Sequence, residues 1–91
     1  MALYDKMANV KCPRTQEELT ALIESQSEPG LVVVNFWMPW SEPSVQMNEV
    51  LDELSQEHEQ VTFVKVEAEN FPSVCQKLSV IAVPTTVFLK V

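Results

Sequence analysis

Histidine, glycine, cysteine and basic residues are all scarce in this chain. There is one His, one Gly and two Cys in 91 residues. One His with two scattered thiols, Cys12 and Cys75, cannot supply a structural zinc site at the usual ligand spacings. The two thiols form no C-x-x-C pair, and in a cytosolic protein they are expected to be reduced; a disulfide between them is the alternative. Basic residues number 6 against 13 acidic ones, a formal net charge of −7, and no basic run occurs. Phosphate backbones and anionic membranes attract Lys/Arg clusters, so neither nucleic acid nor a membrane is expected as a partner. Acidity of this kind favours solubility. The apolar stretch Leu31–Val34 is far too short to span a bilayer, and Met1 to Lys11 holds no apolar run of signal-peptide length. The expected location is the cytoplasm, with the nucleus as a second compartment.

What is present reads as one small α/β domain. An apolar fraction of 46% is enough for a core, and 91 residues make at most one domain. Residues 1–8 carry little pattern and are expected to be poorly ordered. Asn9 to Cys12 reads as a short edge strand. Thr15-Gln16-Glu17-Glu18 fits a capping box, and Leu19, Leu22 and Ile23 follow at helical spacing, which predicts a helix over Gln16 to Ser25. Glu28-Pro29-Gly30 ends it. Leu31 to Trp37 is β-branched and aromatic without alternation, the signature of a central strand of a parallel sheet, buried on both faces. Met38 to Pro43 is a loop. Met47, Val50, Leu51 and Leu54 recur at helical spacing, which predicts a helix over Pro43 to His58. His58 at its end reads as a solvated partner of the helix dipole. Val61 to Ala68 is the next strand, Asn70 to Leu78 opens into a short helix, and Thr85 to Lys90 is a final strand. Alternating strands and helices predict a layered α/β fold with right-handed crossovers. No internal repeat, low-complexity stretch or linker interrupts it.

The segment Val34-Asn35-Phe36-Trp37-Met38-Pro39-Trp40-Ser41-Glu42-Pro43-Ser44 resembles the thioredoxin active-site segment, and Val83-Pro84-Thr85 resembles the hydrophobic-Pro-Thr of that family, where the proline is cis. The resemblance extends to the N-terminal thioredoxin-like domain of multidomain monothiol glutaredoxins (the PICOT type), through Phe-Trp-x-Pro-Trp, Gln46 to Val50 and Phe63 to Glu69. It covers about Val10 to Val91. The fold it implies is a three-layer α/β/α arrangement around a central mixed sheet, lacking the last strand and last helix of the family. On that expectation Thr85–Lys90 is an unpaired edge that invites pairing with another chain. The chain is then a fragment of a longer protein, a truncated product that forms a homodimer through that edge, or a minimal stable domain.

The departures from the family pattern bear on function. The resemblance puts Ser41 and Ser44 where thioredoxins carry their two redox cysteines, and Asn35 where they carry a buried Asp. A serine hydroxyl is a poor nucleophile without an adjacent base, and the one His is at the far end of the helix. The reading is therefore a non-enzyme, with Ser41 serving as a helix N-cap through its side-chain oxygen. By resemblance Trp40, Pro43, Val83 and Pro84 form a shallow apolar patch for protein partners; the structural alternative has Trp37 and Val83 in the core. Pro84 is expected to be cis. Cys75, beside Val74 and Leu78 on a helix face, reads as a small buried hydrophobe, and Cys12 falls on the edge strand. The resemblance implies a redox-inactive module that precedes glutaredoxin domains acting in cytosolic iron–sulfur trafficking and iron homeostasis. Those domains hold a [2Fe–2S] cluster with glutathione; no cofactor is expected in this chain, which lacks Cys-Gly-Phe-Ser. Two alternatives remain: a thiol redox enzyme or sensor using Cys75 or Cys12, and a non-catalytic peptide binder.

Overall fold

The computed structural model describes residues 10–24 and 30–90. The expectations for residues 1–8 and for the helix stop at Glu28 and Pro29 lie outside the described residues. Strands and helices alternate: β1 (Val10–Lys11), α1 (Gln16–Glu24), β2 (Leu31–Trp37), α2 (Glu42–Glu57), β3 (Thr62–Glu67), a 3₁₀ turn (Ala68–Asn70), α3 (Pro72–Lys77) and β4 (Thr85–Lys90). The sheet order is β1-β3-β2-β4.

β2 is central, as its apolar run without alternation predicts, with Val32 to Phe36, the polar Asn35 included, all buried. Its neighbours bear out the mixed sheet that the family resemblance implies and correct only the reading of β2 by itself as a strand of a parallel sheet. β3 runs parallel to it, with Val34 opposite Val64, but β4 runs antiparallel, with Val34 opposite Val87. The sheet is mixed. A strand packed by helices on both faces loses its alternation whichever way its neighbours run, so the pattern of β2 carries burial and no direction.

Pleating splits the strand residues between two cores. Val32, Val34, Phe36, Val64 and Val66 pack with Leu19 of α1 and with Phe71, while Val74 and Cys75 of α3 lie against them. On the opposite face Val10, Val33 and Phe63 pack with Leu51 of α2. Helices therefore cover both faces, which makes three layers. Leu78 departs from its expected place on the buried side of α3: it is exposed, because the helix ends at Lys77 and the chain turns through Ser79 in the left-handed region, φ 59°. Among the described residues β4 pairs on one side only. Its Val87 and Leu89 reach the first core, while Phe88, on the α2 face, is 66% exposed.

Helix α1 starts much as the capping box predicts. The Glu18 N–H donates to Thr15 Oγ1 at 3.1 Å. The Glu18 carboxylate reaches back one residue further than the usual box, accepting from the Arg14 N–H at 3.0 Å.

Truncating the centre of the first core tests this packing. Phe36→Ala is expected to cost about 3–5 kcal/mol in urea unfolding. Val50→Ala, on the exposed side of α2, is expected to stay within about 0.5 kcal/mol.

Candidate functional site

The site is built where β2 gives way to α2. The chain turns at Met38 to Ser41, and the Ser41 N–H donates to the Met38 carbonyl at 3.0 Å. Ser41 occupies the N-cap position of α2 in an extended conformation, yet its side chain makes no capping bond. This corrects the reading of Ser41 as a side-chain cap, and the reason is local. An N-cap oxygen accepts from the second or third helical N–H. The second residue is Pro43, which has no N–H, and the third, Ser44, already donates its N–H to the Ser41 carbonyl at 3.0 Å.

Ser44 ties the turn together instead. It is fully buried. Its Oγ accepts from the Met38 N–H at 3.1 Å, and its hydroxyl lies 2.8 Å from the Ser41 carbonyl and 3.0 Å from the Met38 carbonyl. Beside it Asn35, also fully buried, donates from Nδ2 to Asn48 Oδ1 at 2.9 Å and to the Ser44 carbonyl at 3.5 Å. Its Oδ1 accepts from the Thr86 hydroxyl at 3.5 Å. A buried amide kept in bonds to this extent avoids the desolvation cost of a lone polar group.

Trp40, at the tip of the turn, is 73% exposed, and Pro43 is exposed as well. Across from it the segment Val80 to Val83 closes a groove of about 260 Å³, lined by Met38, Trp40, Glu69, Cys75, Ile81 and Val83 among others. The Val83–Pro84 peptide bond is cis. Val83 is half-buried against the first core, and Pro84 is exposed. The structure thus brings Trp40 and Val83 together in one groove, while Pro43 and Pro84 do not line it. Ile81 and Cys75 are among the residues it adds. Ile81, 96% exposed, sits in a run of apolar residues that gave no sign of which would face out. Cys75 joins the groove because the 3₁₀ turn brings α3 back toward the Trp40 loop, held by the Glu69 N–H donating to Met38 Sδ at 3.4 Å. The Cys75 thiol points to the Ala68 carbonyl, 3.7 Å away, and burial pushes its pKa up. Cys12, just past β1, is exposed and lies in a different groove. His58, the C-cap residue of α2, is exposed at the far end of that helix.

The thioredoxin family model matches residues 7–91. The chain belongs to the thioredoxin family. Its relatives include Glutaredoxin-3 of Bos taurus, 52% identical over 61 residues, which cover 67% of this chain and 18% of that protein. Glutaredoxin 3 of Danio rerio is 39% identical over 84 residues, 92% of this chain and 26% of that protein. The chain therefore spans about a quarter or less of the length of these relatives. Among solved structures, thioredoxin NaTrxh of Nicotiana alata superposes with a TM-score of 0.82 at 26% identity, over 91% of this chain and 76% of that one. The mixed four-stranded sheet flanked by three helices is the thioredoxin arrangement, and the chain is a thioredoxin-family domain homologous to monothiol glutaredoxins.

Two measurements check the site. Ser44→Ala is expected to lower stability by about 1–3 kcal/mol, the cost of leaving buried backbone groups without their partner; Ser41→Ala, with no side-chain cap to lose, is expected to stay within about 0.5 kcal/mol. In alkylation by iodoacetamide at pH 8, followed by mass spectrometry, Cys12 is expected to react well ahead of Cys75. Burial keeps Cys75 protonated to higher pH, and only the thiolate attacks.

Proposed function

We propose that this thioredoxin-family domain is a non-catalytic protein-binding module that serves beside glutaredoxin domains in cytosolic iron–sulfur trafficking and iron homeostasis. The observation that carries the non-catalytic part is the state of Ser44. By family resemblance it stands where a redox cysteine would, and its hydroxyl is buried and committed to the Met38 and Ser41 backbone. A nucleophile needs a free lone pair and a base in reach, whereas here the oxygen is a structural clasp. Asn35 at the neighbouring position cannot titrate, so it holds Asn48 and moves no proton. With the chemistry gone, the exposed Trp40 and Ile81 around the Val83 groove remain as an apolar surface of the kind that anchors partners. The glutaredoxin context is supported by homology to Glutaredoxin-3 and to Monothiol glutaredoxin-4 of Schizosaccharomyces pombe, 32% identical over 73 residues. The iron–sulfur role is the one that the resemblance to that family implies.

A second reading has one observation in its favour. Cys75 lies in the same groove as Trp40 and Val83, so a partner docked there would meet a thiol. Its raised pKa works against it, because a largely protonated thiol exchanges slowly near neutral pH.

Titration of an unfolded, cysteine-free apolar peptide, followed by Trp fluorescence and calorimetry, tests the binding surface. Trp40→Ala is expected to weaken binding at least about tenfold, and equal affinity for both proteins overturns the patch. In an insulin-reduction assay the wild type is expected to be inactive. Activity abolished by Cys75→Ser would establish the second reading in its place. For the glutaredoxin context, the endogenous polypeptide is expected to yield a Cys-Gly-Phe-Ser peptide by mass spectrometry, and its absence removes that part of the proposal.

A further inference from the structure

The groove between Trp40 and Val83 carries a charge as well as apolar walls. Among the described residues, Glu69 is the one formally charged residue in its lining. The Glu69 backbone is fixed there, because its N–H donates to the Sδ of Met38 at 3.4 Å and Met38 is itself a buried lining residue. A glutamate side chain is shorter than the Debye length, about 8 Å at physiological salt. With its backbone held at the groove, the carboxylate therefore acts on whatever enters, whichever way the exposed side chain turns.

The segments that build the groove repeat the sign. Glu42 follows Trp40 by two residues, Glu67 precedes Glu69 by two, and Ser79 to Pro84 carries no charge. The one base in these segments, Lys77, lines a different groove with Gln16 and Ser73. At about 260 Å³ the Trp40–Val83 groove is smaller than small-ligand pockets, which begin at about 300 Å³, so it suits one inserted side chain of a larger molecule. A neutral apolar partner closing over the groove strips water from the Glu69 carboxylate and returns nothing, which costs affinity. A Lys or Arg beside the inserted side chain replaces that water with an opposite charge, and its aliphatic stem covers apolar surface. An acidic partner is repelled. The net charge of −7 acts in the same direction, drawing a cationic segment toward the chain.

We infer that the Trp40–Val83 groove takes a basic, apolar segment of a protein partner, with one large apolar side chain inserted between Trp40 and Ile81 and a neighbouring Lys or Arg paired with Glu69. This rests on the protein-binding reading above and adds to it the charge of the partner.

Three peptides that differ only in charge make the test direct: acetyl-Gly-Leu-Lys-Phe-Lys-Leu-Gly amide, and the same peptide with both Lys replaced by Gln or by Glu. Each is titrated into the chain by calorimetry and Trp fluorescence, at low salt and in about 1 M sodium chloride, where the Debye length falls to about 3 Å. At low salt the Lys peptide is expected to bind about threefold to tenfold more tightly than the Gln peptide, with the Glu peptide weakest, as for charges at the rim of an interface. High salt is expected to shrink that preference. Glu69→Gln is expected to weaken the Lys peptide about threefold and to leave the affinity for the Gln peptide in place. Equal affinity for the Lys and Gln peptides at low salt, or a Lys preference that Glu69→Gln leaves unchanged, overturns the inference, while binding that Trp40→Ala weakens still upholds the protein-binding surface. Binding of none of the three, or binding that Trp40→Ala leaves unchanged, removes that surface and the inference with it.

Discussion

The buried Ser44 hydroxyl joins the end of β2 to the start of α2, and the geometry of the apolar groove depends on it. It engages Met38 on the strand side and Ser41 on the helix side at once. Asn35 adds a second tie from the sheet to the same helix through Asn48. Such polar contacts strengthen one another in a low-dielectric interior, provided each member is satisfied. With the helix start fixed from behind, Trp40 is held out at the tip of the turn, largely in solvent. The turn between β2 and α2 has the bonding pattern of a joint.

The fold was largely legible, and the places where it was not have identifiable causes. Runs such as Leu31–Trp37 and the spacing of Met47, Leu51 and Leu54 announce their elements because burial imposes periodicity, or the loss of it, on the sequence. Strand direction leaves no such trace, so the antiparallel β4 was invisible in β2. The missing Ser41 cap was in principle readable from Pro43: a proline two residues into the helix removes one of the two N–H groups a cap can use. The role of Ser44 was not, because a hydroxyl turned inward and one turned outward look alike in a sequence. Trp40 and Val83 were assigned to one surface through family resemblance, whereas Cys75 reached that surface only through the folding back of α3, which no local pattern records.

The exposed apolar groups and the acidic charge occupy the molecule in different ways. Trp40, Ile81 and Phe88 are large side chains left in water, concentrated on loops and on the outer strand, while the outer side of α2 carries Glu49, Glu53 and Gln56. Scattered exposed apolar residues are ordinary in a soluble protein. Two of them flanking one groove are less so, and a solvated acidic helix elsewhere keeps the molecule dispersed while the groove stays available.

The strand order also fixes when the sheet can form. β1 and β2 are not neighbours, and among the described residues every hydrogen-bonded strand pair includes β3 or β4. During synthesis the described residues up to Val61 hold two strands that do not pair with each other, and Val10 waits for Phe63, its partner in the sheet. Loop closure of that span must be met before any ladder bond repays it. The emerging chain therefore exposes the most apolar strand of the domain, Leu31–Trp37, until β3 arrives, and in that interval its safety depends on the synthesis rate and on the chaperones nearby.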